Sequence, residues 1–190
     1  MIDNEKDKTL FSDAIKKGFY EVLGGEESVK YRILLNRSDL IGRGAEEIMF
    51  MKQFLSEKFG TKESEGLAFS IGKNSYLFIK SLFEKTLNFQ DMDFRFLPTQ
   101  RRIENALEEL KSVVFCPLGI KMDCYEQNEA FIWKLDTGCP IEKSPAYLIS
   151  GILQEMLTDI SGGRFFPISV NPCDETEKTE IVIAKRALGH

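Results

Sequence analysis

The stretch from Ser144 to Gly163, SPAYLISGILQEMLTDISGG, constrains the fold of this chain more than any other. Ser144 followed by Pro145 reads as a helix start, since a hydroxyl can accept an orphan backbone N–H and proline fits the first helical position. Gly162 and Gly163 read as the stop, because glycine tolerates the left-handed turn that closes a helix. Between them, at about 100° per residue, Leu148, Ile149, Ile152, Leu153, Met156, Leu157 and Ile160 cover roughly half the circumference. A face that wide predicts burial against more than one partner. Ser150, Gln154, Glu155, Thr158 and Asp159 are expected to look outward.

The rest of the chain is read around this helix. At 190 residues it is expected to form one domain, large enough to bury about 70% of its unfolded surface without disulfides or metals. Residues 1–9 are charged and are read as a flexible tail, with a single domain over 10–188. Leu10 to Leu23 has helical spacing and ends at Gly24-Gly25. Glu26 to Leu35 is read as a second helix, although its VKYRILL would also suit a strand. Ala45 to Lys58 is an amphipathic helix stopped by Gly60, and Ser64 to Leu87 contains another, with an interruption possible at Gly72. SIGKNS resembles the tail of a phosphate loop but lacks the first glycine at the required spacing, so a nucleotide site is rejected. NFQDMDFRFLP is read as a loop, and Thr99 to Val113 as a helix capped by Thr99.

After Pro117 the period changes from helical to alternating. Ile120, Met122 and Cys124 share one side, and a turn at Glu126-Gln127-Asn128 leads into EAFIWKLD, with Phe131, Trp133 and Leu135 inward. Beyond the central helix, RFFPISV and TEIVIAK read as two more strands. Helices followed by β-β-α-β-β predict an α+β fold, with the N-terminal helices packed on a four-stranded antiparallel sheet.

Composition excludes more than it assigns. The net charge of −5 argues against nucleic acid and anionic membrane as partners. No apolar run approaches the roughly 18 residues of a membrane span, and the N-terminus lacks the order of a signal peptide, so a cytoplasmic location with reduced thiols is expected. The one histidine is His190, which leaves no internal imidazole for a catalytic triad or haem ligation. No carboxylate pair is singled out by spacing, no dinucleotide fingerprint is present, and no catalytic residue is assigned. The 15 phenylalanines against one tryptophan suit either a plain core or a cavity for a greasy ligand.

The series FLPTQRRIENALEEL, a hairpin, LDTGCP, GILQEMLTDISGGRFF and a strand ending NPCD resembles the 4-vinyl reductase domain family of small-ligand or hydrocarbon-binding domains. The resemblance runs from Phe94 to Lys185. That family is similar in fold to the TRAPP vesicle-transport subunits and to haem-based nitric-oxide sensor domains. It implies an apolar pocket between the N-terminal helices and the sheet, a hydrophobic small molecule such as a fatty chain or tetrapyrrole as partner, and a homodimer. The residues expected to line the pocket are Met49, Phe50, Phe54, Phe69, Tyr76, Phe83, Trp133 and Met156, each of which also suits plain core. Cys139 and Cys173 stand where the family carries cysteines suspected as thiols or metal ligands. Ala146 and Ile181 replace further ones, so a closed zinc site is not expected, and no cofactor is assigned. Three readings follow: a non-catalytic sensor or carrier domain for a hydrophobic molecule, an enzyme or accessory of tetrapyrrole vinyl reduction, and a TRAPP-like adaptor.

Overall fold

The computed structural model describes residues 4–38, 40, 44–87, 89, 91–136, 145–172 and 178–188. Its first element, α1 (Asn4–Ser38), is two helical limbs joined at Gly24, whose φ of 76° and ψ of −178° belong to a region essentially reserved for glycine. The break is where Gly24-Gly25 placed it, and the second limb is helix rather than strand. The first limb reaches back to Asn4, into the segment read as a tail.

Next come α2 (Ala45–Phe59), stopped at Gly60, and α3 (Thr61–Leu82). The helix α3 runs unbroken through Gly72, which corrects the suggested interruption, and SIGKNS lies inside it. The reason is packing: a Cβ on Gly72 would stand 2.1 Å from the carbonyl oxygen of Leu148, so glycine is there to admit another helix. Two short helices follow, α4 (Glu84–Leu87) and α5 (Met92–Phe96), the latter inside the stretch read as a loop. In α6 (Thr99–Leu110) the N-cap position belongs to Pro98, not Thr99, whose hydroxyl instead accepts a hydrogen bond from the Arg102 guanidinium at 3.1 Å. A π-helical turn, Lys111–Phe115, continues α6 and aims Val114 and Phe115 inward.

The strands are β1 (Lys121–Gln127), β2 (Ala130–Asp136), β3 (Ile168–Pro172) and β4 (Lys178–Ala184), all antiparallel in the order β1-β2-β4-β3. Gln127 pairs with Ala130, so the hairpin turn is Asn128-Glu129, a position later than expected; Asn128 takes a φ of 52°, which asparagine tolerates. Phe131, Trp133 and Leu135 sit opposite Ile183, Ile181 and Thr179, and these six make the buried inner face.

The helix α7 (Ala146–Ile160) lies against α3 on one side and β3 and β4 on the other. Ser144, its expected cap, is outside the described residues. The enclosure corrects one reading: Ser150 and Gln154, expected outward, are 1% and 2% exposed, because the sheet covers the side of α7 that α3 leaves free. The molecule is therefore layered as α1, α3, α7 and sheet, with α2 against α1 and α3. The fold is α+β. Phe115 links α6 to two layers, meeting Phe11 edge-on at 6.3 Å and Trp133 at 5.8 Å.

Candidate functional site

The bend at Gly24 makes a groove of about 380 Å³ between the two limbs of α1. Lys16, Lys17, Phe19, Tyr20 and Glu21 line it from the first limb, and Gly25, Ser28, Val29, Tyr31 and Arg32 from the second. Most of its wall is apolar.

Local contacts fix both limbs. The Ser28 hydroxyl donates to the Gly24 carbonyl at 2.8 Å, closing the first turn after the bend. Lys30 reaches Glu26 at 2.7 Å and Glu27 at 3.3 Å, and Glu27 also meets Lys58 on α2. The floor is a stack, Phe19 on Tyr31, with ring centroids 4.5 Å apart and planes 16° from parallel. Behind it Phe54 stands 5.9 Å from Phe19 and 5.6 Å from Tyr31, and Phe50 6.1 Å from Tyr31. Offset ring pairs of this kind hold the limbs more firmly than area alone would.

Polar groups around the groove are unequally satisfied. The Tyr31 hydroxyl is buried with no hydrogen-bond partner. Burial first, and then the nearby Glu47 carboxylate, push this phenol well above its ordinary 10.0. Glu47, itself buried, accepts a hydrogen bond from the Ser12 hydroxyl at 2.6 Å and lies 3.9 Å from Lys16. Lys17 sits over the Phe78 ring at 5.2 Å. Arg32 is exposed at the rim, with no ion-pair partner among the described residues. The groove is thus an apolar trough edged by Lys17, Arg32 and Glu21, and by Lys16, which is shared with the Asp13 and Glu47 carboxylates at 3.8 and 3.9 Å.

The eight residues expected to line a pocket are dispersed. Phe50 and Phe54 back the α1 groove, with half-buried Met49 beside them on α2. Half-buried Phe69 lies on α3 at the crossing with α7, where a Cβ on Gly151 would stand 2.0 Å from its carbonyl oxygen. Tyr76 is buried and donates to Asp159 at 2.8 Å. Phe83 closes the end of α3, and Met156 is enclosed in α7. Trp133, on the inner sheet face, also borders a cleft of about 170 Å³ with Glu108, Cys124 and Phe131. Cys139, Cys173 and His190 lie outside the described residues.

Two other cysteines are described. Cys116 is exposed; Cys124 is half-buried, and burial, only partly offset by Lys111, pushes its thiol up to about 12. Among the described residues no three His, Cys, Asp or Glu side chains gather as a metal site, and no helix is long and apolar enough to cross a membrane. The residues that sequence reasoning left out are Phe19, Tyr31, Val29 and the basic rim. The available signal was a pair of glycines between two helical runs, each carrying an aromatic residue toward the bend. A scan of protein-family models finds no match to this chain, and a search of curated proteins finds none either.

Proposed function

We propose that the chain is a non-catalytic binding domain for a hydrophobic small molecule with an anionic head, of the fatty-acid class, held in the α1 groove. The observation that carries this reading is the pairing of an aromatic-floored trough with a cationic rim of Lys16, Lys17 and Arg32. Its volume, about 380 Å³, falls in the range of about 300–1,000 Å³ usual for small-molecule sites. An acyl chain would lie along Phe19, Tyr20 and Val29, and its carboxylate would meet Arg32, whose planar fork suits that group. The reading agrees with the ligand class implied by the resemblance to 4-vinyl reductase domains, at a different place in the fold.

Titration with a dansyl-labelled fatty acid tests it. Saturable fluorescence enhancement at one probe per chain is expected, with affinity falling about tenfold in Arg32→Glu, roughly 1.4 kcal/mol. No saturable binding, or equal binding by the variant, would remove the basis for the proposal.

A second reading has its own support. Val29, Ile33 and Leu34, on the second limb of α1, are 46%, 45% and 42% exposed. Such a strip suits a second copy of the chain, as in the adaptor reading. Small-angle scattering of wild type and Ile33→Glu tests it, a dimer in the first and a monomer in the second being expected.

A further inference from the structure

A second concave site lies where α3 ends, α5 passes, α6 begins and α7 ends. Lys80, Arg95, Arg102 and Asp159 meet there around a hollow of about 100 Å³, with Phe89, Phe94 and Ile160 as its apolar wall. Its lining is otherwise polar, with Lys80, Arg95, Arg102 and Asp159 as the charged groups. The carboxylate is already engaged, since a single oxygen of Asp159 accepts from Lys80 at 2.7 Å and from Tyr76 at 2.8 Å. Arg102 gives a terminal nitrogen to Thr99 at 3.1 Å, and its Nε is buried with no partner. A buried guanidinium N–H without an acceptor is a group that native structures rarely leave so. The wall is firm, for Phe89 and Phe94 pack at 5.3 Å between ring centroids.

We infer that Lys80, Arg95 and Arg102 form a binding site for a small oxyanion, a phosphate or phosphomonoester group. The hollow, about 100 Å³, is large enough to hold water or one small tetrahedral anion. Its oxygens would accept from Arg102 Nε and from the Arg95 and Lys80 side chains, supplying the acceptor that Arg102 Nε lacks. Four elements contribute to the hollow, so the bound anion would also tie α5 and the start of α6 to the core. The site stands apart from the α1 groove and does not depend on what that groove holds.

Thermal denaturation and calorimetric titration with inorganic phosphate, at ionic strength held constant with chloride, test the inference. A saturable rise in Tm is expected for wild type, with affinity weakened by about tenfold or more in Arg102→Gln and in Arg95→Gln, and unchanged in Lys121→Gln. Arg95 is exposed, so its variant keeps the test open should Arg102→Gln fail to fold. Cosedimentation with phosphatidylcholine vesicles carrying phosphatidic acid tells the sources apart: pelleting lost in Arg102→Gln assigns a lipid headgroup, and phosphate binding without pelleting assigns a soluble anion. Absence of saturable phosphate binding, or binding that both variants retain in full, would overturn the site.

Discussion

The hydroxyls of Tyr31 and Tyr76 are in opposite hydrogen-bonding states. Both rings are buried, but the Tyr76 hydroxyl donates to the Asp159 carboxylate while the Tyr31 hydroxyl has no partner. Leaving a buried hydroxyl unsatisfied costs about 1–3 kcal/mol, and a hydrogen bond to a charged group contributes about 1.5–3. Tyr31→Phe is therefore expected to hold or raise stability by up to about 1 kcal/mol, and Tyr76→Phe to lower it by about 1–2, measured from urea unfolding midpoints.

The same two phenols set an alkaline limit. Burial, aided by Glu47 at Tyr31 and by Asp159 at Tyr76, raises each above its ordinary 10.0 in the folded chain. A group raised in this way contributes stability that is fully present below its unfolded value and lost as pH climbs past it, because only the unfolded chain releases the proton. Stability is expected to fall as pH passes about 10, by roughly 1.4 kcal/mol per pH unit for each such tyrosine. Tyr31→Phe should make that fall shallower; an unchanged slope would mean that Tyr31 ionises freely when folded.

Glycines decide the helix crossings. A Cβ on Gly151 would stand 2.0 Å from the Phe69 carbonyl oxygen, and one on Gly72 would stand 2.1 Å from that of Leu148; both obstacles are backbone and cannot swing aside. Either change to alanine is expected to destabilise by about 1–3 kcal/mol, toward the upper end because backbone is the obstacle. Gly66, on α3 with open space around it, gives the contrast: Gly66→Ala should stabilise by about 0.5–1 kcal/mol through helix propensity. Gly24 is a third case, with nothing near its missing Cβ but a conformation that alanine resists. Gly24→Ala is expected to cost about 1–3 kcal/mol and to weaken fatty-acid binding, since the two limbs of α1 are the walls of the groove.

How far sequence carried also depended on element type. Where periodicity and punctuation agreed, as in α7 with its terminal glycines or the hairpin with Trp133 inward, the element stood as expected. Glycine alone was ambiguous: the same residue bends α1 at position 24 and admits a neighbouring helix at 72, and only the tertiary partner distinguishes them. Ser150 and Gln154 are buried against the expectation that polar residues face water, because α7 is enclosed between α3 and the sheet.

At the scale of the molecule, the alternation of helices, hairpin, helix and strands was enough for the α+β class and the four-stranded sheet. The stacking of α1, α3, α7 and sheet was not readable, because apolar faces state that an element is covered without stating by what. That gap bears on function. The space between α3 and the sheet is taken by α7, with Met156 and Leu157 fully enclosed, and the α1 groove lies on the outer layer, where α1 doubles back.

For the proposal that this outer groove holds an anionic amphiphile, photo-crosslinking with a diazirine-bearing fatty acid locates the occupant directly. After irradiation and peptide mapping, label should concentrate on the α1 peptides carrying Phe19, Tyr20, Val29 and Tyr31, and should be displaced by unlabelled fatty acid. Label carried chiefly by peptides of Trp133 or Met156, or scattered without displacement, would contradict it.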